Sequence, residues 1–195
     1  MSENSEHETV VVYGGSFDPP HVSHCLAVSY VLMTNPIDRV LVIPTFKHPF
    51  DKPLTPFVHR SRMCELAFAD DPRVTVSTVE EELGGESRTL RTLETLRERH
   101  PHWNMRLLMG ADLLIESPKW YGFDRIAQIA KPLVVGRVGY AHEAAPTAVL
   151  PEVSSKDIRA KIAAGDASVR ELLPQRILAY IHEHELYGAR TQHTP

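Results

Sequence analysis

The sequence predicts an α/β fold in which a parallel sheet is flanked by helices within a single compact domain that ends in a helical segment. Short runs rich in apolar, β-branched residues alternate along the chain with segments of helical periodicity, the pattern of repeated strand–helix units. Several of these runs, such as Val10-Val11-Val12 and Val40-Leu41-Val42-Ile43, are continuously apolar, as parallel strands covered on both faces must be. The 195 residues are enough to bury a sizeable core, and no linker divides them.

The elements follow in order. Thr9–Tyr13 is a strand that stops at Gly14-Gly15, and a helix is expected over Pro20–Met33, its start marked by a proline favoured at the first helical position. Arg39–Pro44 is the second strand. Pro56–Ala69 reads as a helix because Met63, Leu66 and Ala67 stand at i, i+3 and i+4. Arg73–Ser77, Met105–Met109 and Pro132–Gly136 complete the strands, with helices expected between them at Thr89–Arg99 and Asp124–Ala130. Arg137–Pro151, rich in Ala, Gly and Pro, reads as a loop with room for a short strand near Val149. Ser155–Ala164 and Pro174–Glu185 are the last helices, the latter with Ile177, Tyr180, Ile181 and His184 on one stripe. Residues 9–187 form the expected domain; residues 1–8 and 188–195 read as loose tails.

Composition narrows the function. A net charge of −4 argues against a nucleic-acid interface, which needs a basic face. It leaves nucleotides open, because a few cations and backbone amides hold a triphosphate. Cys25 and Cys64 form no CxxC pair and read as small apolar residues in a reducing compartment. The polar start of the chain lacks the apolar core of a signal peptide, and no run approaches a membrane span, so a cytoplasmic location is expected. His182-Glu183-His184-Glu185 has the wrong spacing for a metal-binding HExxH, and no metal site is expected in the protein itself.

The sharpest local signal follows the first strand: Gly14-Gly15-Ser16-Phe17-Asp18-Pro19-Pro20-His21-Val22-Ser23-His24. Two glycines let an anion approach the main chain, and the next helix aims its unpaired N–H groups at the same place. His21 and His24, three apart, project from one face of the first turn and can donate hydrogen bonds to phosphate. Neither GxxxxGK[ST] nor GxGxxG is present, so the P-loop and dehydrogenase fingerprints fail. Near the other end, Val153-Ser154-Ser155-Lys156-Asp157-Ile158-Arg159 offers a serine N-cap, free N–H groups and, one turn on, a guanidinium suited to phosphate oxygens.

Gly-Ser-Phe-Asp-Pro-Pro-His-Val-Ser-His resembles the signature of the His-x-Gly-His nucleotidyltransferase superfamily, with Ser23 where that family usually has Gly. The Ser-Ser-Lys-Asp-Ile-Arg segment resembles its second phosphate clamp. Gly110-Ala111-Asp112, followed by Pro118-Lys119-Trp120-Tyr121, resembles the pattern of bacterial nicotinate-mononucleotide adenylyltransferase. The likeness runs from about Val10 to Tyr187. It implies a Rossmann-like fold and transfer of the AMP part of ATP, with Mg²⁺, onto a pyridine mononucleotide. It also implies roles: His21, His24 and Arg159 in catalysis; Gly14, Gly15, Ser16, Phe17, Ser154, Ser155 and Arg159 around ATP; Thr89, Gly110, Asp112, Trp120 and Lys47 around the acceptor. Arg88 stands where an aromatic residue is typical. Nicotinamide mononucleotide or phosphopantetheine as acceptor stays open, as does a nucleotide-binding sensor without catalysis. No membrane or nucleic-acid partner is expected, and oligomeric state is left open.

Overall fold

The computed structural model describes residues 7–50, 52–117, 120–140, 142–145 and 147–189. Six parallel strands form the sheet: β1 (Thr9–Gly15), β2 (Arg39–Pro44), β3 (Val74–Val76), β4 (Asn104–Gly110), β5 (Lys131–Arg137) and β6 (Ala148–Leu150). Their order across the sheet is β3-β2-β1-β4-β5-β6. The helices are α1 (Val22–Thr34), α2 (Phe57–Phe68), α3 (Val79–Leu83), α4 (Thr89–Arg99), α5 (Ala111–Glu116), α6 (Phe123–Ile129), α7 (Ser155–Ala164) and α8 (Gln175–Glu183). Short 3₁₀ turns cover Ala167–Glu171 and Leu186–Gly188. The α/β class and the single domain are as the sequence predicts, and no helix among the described residues is long and apolar enough to cross a membrane.

The continuous apolar runs serve two cores. Val11, Tyr13, Val40 and Val42 pack with Val28, Val31 and Leu32 of α1 on one face. Their alternate neighbours Val10, Val12, Leu41 and Ile43 pack with Leu93, Leu96 and Ile126 on the other. Side chains of successive strand residues point to opposite faces, so both sets must be apolar. A third cluster joins Met63 of α2 to Ile158, Ile162, Ile177 and Ile181, which fastens α7 and α8 to the body.

Several boundaries differ from expectation. The first helix begins at Val22, two residues after Pro20, because His21 is extended (φ −145°) and acts as the N-cap; its carbonyl accepts the first helical bond, from Cys25 N–H at 3.2 Å. The third strand is only three residues long, and α3 and α5 are additional short helices. Strand β5 runs one residue past its expected end, through Arg137, whereas the short strand β6 stands around Val149 as the sequence allowed. At the ends, Glu8 pairs with Arg39 at 2.8 Å and Ala189 is buried, while residues 1–6 and 190–195 lie outside the described residues.

Candidate active site

The strand order creates the site. From β1 the chain moves outward to β2 and β3, then returns to lay β4 on the other side of β1 and continues to β5 and β6. Loops leaving the C-terminal ends of β1 and β4 therefore diverge and open a crevice, the usual ligand position in such sheets. Gly14 borders that crevice: it is exposed, and a side chain there would meet nothing within 4 Å. Gly15 is different, because a Cβ would lie 3.1 Å from the ring of Phe17. Phe17 takes a positive φ of 45° and is 1% exposed, its ring against Tyr13 (5.4 Å) and His24 (4.9 Å). The Phe17 ring, expected beside ATP, packs beneath the turn instead.

The turn itself contains a cis Asp18–Pro19 bond and leads into His21. The backbone N–H of His21 donates to Nδ1 of His24 at 3.1 Å, and the two rings lie 3.8 Å apart. Because His24 accepts at Nδ1, its neutral form carries the proton on Nε2. His21 Nδ1 is buried and has no partner among the described residues. Burial, and then the nearby Arg137 cation, pushes the His21 pKa down to about 4. Burial, followed by His21 and Arg137, holds His24 well below the ordinary imidazole value. Both rings are neutral at neutral pH.

The second motif meets the first at this turn. Ser154 caps α7, its hydroxyl accepting from Asp157 N–H at 3.1 Å. Ser155 Oγ donates to the Pro19 carbonyl at 2.9 Å, and Arg159 Nη1 donates to the Asp18 carbonyl at 2.6 Å. The Asp18 carboxylate, 3.8 Å from Arg159, is buried and accepts from Thr55 N–H and from the Tyr187 hydroxyl. Segments more than a hundred residues apart in sequence thus share one turn, and Ser16 stands at its start.

The acceptor candidates fall into two groups. A Cβ at Gly110 would collide with the Asp112 carboxylate, which folds back over it, so a side chain there would have to displace that carboxylate. Asp112 in turn pairs with Arg137 at 2.6 Å, and Arg137 Nη2 donates to the Val153 carbonyl at 2.8 Å. Arg137 Nε is buried without a partner among the described residues. Sequence reasoning missed Arg137. The available signal was its place at the C-terminal end of an apolar parallel strand, two residues beyond Val135, the register partner of Gly110. Lys47 and Thr89 form the other group: Lys47 is exposed, and its backbone is tied to Ser87, two residues before Thr89. Trp120 is half-buried against the second core with its ring edge-on to Phe123 at 6.3 Å; Pro118, expected to fix it, lies outside the described residues. Among the described residues no direct hydrogen bond or ring contact joins this second group to the histidines.

The profile of the family described as cytidylyltransferase-like matches residues 12–161. A protein of Anaeromyxobacter dehalogenans named "Probable nicotinate-nucleotide adenylyltransferase" is 43% identical over 182 residues, 91% of this chain and 96% of the relative. The chain belongs to the nicotinate-nucleotide adenylyltransferase family. A like-named protein of Myxococcus xanthus is 40% identical over 93% of this chain and 95% of its own length. In fold, this nucleotidyltransferase matches the Plasmodium falciparum nicotinic acid mononucleotide adenylyltransferase complexed with NaAD, with a TM-score of 0.82 at 19% identity, covering 95% of this chain and all of that one. The region shared with the family profile includes both histidines and Arg159 of the nucleotidyltransferase.

Proposed function

We propose that the protein joins ATP and nicotinate mononucleotide to give nicotinate adenine dinucleotide and pyrophosphate. The acceptor phosphate oxygen attacks the α-phosphorus of ATP in line, and the bond from that phosphorus to the β-phosphate oxygen breaks. No protein nucleophile is needed, because positioning and charge neutralisation carry such transfers. The observation that carries this reading is the convergence of Ser155 and Arg159 on the Asp18–Pro19 turn that leads into His21 and His24.

In this mechanism the main chain at Gly14 and Gly15 gives phosphate close approach beside Ser16. His24 Nε2–H and the free face of His21 donate to oxygens that gain charge in the transition state. The exposed part of the Arg159 guanidinium and the capped start of α7, with Ser154 and Ser155, hold the β- and γ-phosphates. Asp112, Gly110, Thr89, Trp120 and Lys47 are assigned to the acceptor. Mg²⁺ belongs to the nucleotide substrate. The described residues hold no group of three or more His, Cys, Asp or Glu able to bind a metal, and the Asp18 carboxylate is occupied by Thr55 and Tyr187. The ion would therefore be held mainly by phosphate oxygens and water.

The test offers ATP and Mg²⁺ with nicotinate mononucleotide, nicotinamide mononucleotide and phosphopantetheine in turn, and identifies products by mass. Nicotinate adenine dinucleotide as the dominant product is expected. A preference for either other acceptor would reassign the substrate, and absence of pyrophosphate with all three would leave a nucleotide-binding protein without catalysis.

A further inference from the structure

One buried cation has no part in the site as described above. Arg60 on α2 is 1% exposed, and among the described residues no carboxylate lies within ion-pair distance of it. Its planar fork is spent on three main-chain carbonyls instead: Nε donates to Thr55 at 2.7 Å, Nη1 to Ser16 at 2.9 Å and Nη2 to Phe46 at 3.3 Å. Those carbonyls belong to the exit of β1, the exit of β2 and the residue before the proline that caps α2.

Phe46 and Thr55 bracket the segment 47–54, which carries Lys47. One guanidinium therefore holds both feet of this strap and fixes them to the β1 exit. Each foot has a second fastening that reaches a different part of the site. Phe46 N–H donates to Ser87 Oγ at 2.9 Å and to Glu80 Oε2 at 3.1 Å, beside the start of α4. Thr55 N–H donates to Asp18 Oδ2 at 3.2 Å, in the turn gripped by Arg159. Burying a charged group is costly, and burial holds the Arg60 pKa below the usual arginine value. The charge is partly offset by the Phe57 ring under the guanidinium at 5.6 Å and by the Asp18 and Glu80 carboxylates beyond ion-pair distance, while the neighbouring core residues Met63 and Cys64 are apolar. What an apolar side chain of that volume could not do is bind three carbonyls from three loops.

We propose that Arg60 is a positioning residue for adenylyl transfer: it sets the strap 47–54, on the acceptor side, in register with the Ser16–Asp18 turn on the triphosphate side. The inference rests on the reaction proposed above. Lysine cannot replace it, because three donors on one tetrahedral nitrogen do not match carbonyls spread around a planar fork.

The test measures steady-state kinetics of wild type, Arg60→Lys and Arg60→Gln, varying ATP and nicotinate mononucleotide separately, with a thermal melt of each protein. Variants that melt above the assay temperature are expected to lose roughly 10- to 10²-fold in kcat/KM for the acceptor, the scale of a small misplacement of reacting groups. The acceptor KM should rise more than the ATP KM. A structural arginine would lower the melting temperature and the active fraction while leaving both KM values unchanged; that result overturns the proposal, as do wild-type kinetics. If neither variant folds, the Arg60 Nε–H resonance of the wild type decides: it should shift when a non-hydrolysable ATP analogue or nicotinate mononucleotide is added alone, and a resonance unmoved by both overturns the proposal. Failure of the wild type to use nicotinate mononucleotide would count against the proposed reaction instead, so the two failures are separable.

Discussion

Replacing His21 by Asn should remove an acid weakness from the protein. The His21 imidazole is 4% exposed, and burial with the adjacent Arg137 cation holds its pKa near 4, against 6.5 for a free imidazole. A lowered histidine pKa costs nothing at high pH, where folded and unfolded chains both hold the ring neutral. As pH falls through the unfolded value of 6.5, the unfolded chain takes a proton that the folded one refuses, and stability declines until the folded pKa is reached. At pH 5 the unfolded ring is almost fully protonated and the folded ring about nine-tenths neutral. The ratio of binding polynomials is about 30, which is about 2 kcal/mol, or roughly 4–8 °C of melting temperature for a chain of this size.

The assay is a pair of thermal melts, at pH 8 and pH 5, on wild type and His21→Asn. Other groups titrate in both proteins, so the difference between the two pH-dependent losses isolates His21, together with its electrostatic push on His24. Wild type should lose about 2 kcal/mol more than the variant. Equal losses would refute the burial argument for His21 and, with it, the claim that its imidazole is neutral in the folded protein. The same logic fixes the sign of the imidazole contribution to proton linkage: phosphate charge raises both imidazole pKa values, so near pH 6 wild type should take up more protons than His21→Asn on binding triphosphate, measurable by calorimetry in two buffers.

Two further outcomes follow from particular positions. His24→Ala should lower turnover by about 10²–10³-fold with the fold intact, the usual cost of one transition-state donor; near-normal kcat in a folded variant would exclude that role. Gly14→Ala and Gly136→Ala should separate function from stability. A Cβ at Gly14 meets open space and should impair ATP binding with little change in melting, whereas one at Gly136 collides with the Thr147 carbonyl and should cost about 1–3 kcal/mol in denaturant unfolding. Equal melting temperatures for these two variants would contradict the packing described.

What could be read from the sequence was local. The β1–glycine–turn–helix corner, the two histidines and the Ser154 cap each lie within a few residues, where spacing and residue chemistry constrain geometry directly. What escaped reading was either short or distant. Helices α3 and α5 span five and six residues, too few to show a helical period. The Asp112–Arg137 pair joins residues 25 apart, and Arg137 opens a stretch whose Ala, Gly and Pro content resembles a loop. Phe17 reads as a ligand contact in sequence because it stands inside the Gly14–His24 motif. Only its positive φ turns the ring inward beneath Gly15. The helical pattern marked the apolar stripe of α2 but said nothing about Arg60, whose partners are carbonyls with no sequence signature.

The departure at Ser23 shows how the two halves of the site are held. A side chain larger than the family's glycine at this position could have blocked the crevice. Instead Ser23 is 5% exposed and its hydroxyl donates to the Pro151 carbonyl at 3.2 Å, three residues before the Ser154 cap. One residue earlier, Val22 N–H, an unpaired donor of the first helical turn, finds the Leu172 carbonyl at 3.0 Å. Tyr187 then reaches the Asp18 carboxylate from beyond α8. The start of α1 thus spends part of its polar capacity on the C-terminal half of the chain. The sheet's reversal at β1 and β4 opens the crevice, and these three bonds, together with those from Ser155 to Pro19 and from Arg159 to Asp18, hold the returning chain against it. Loosening them should separate Arg159 from the histidines before the sheet itself is disturbed, because none of them belongs to the ladder.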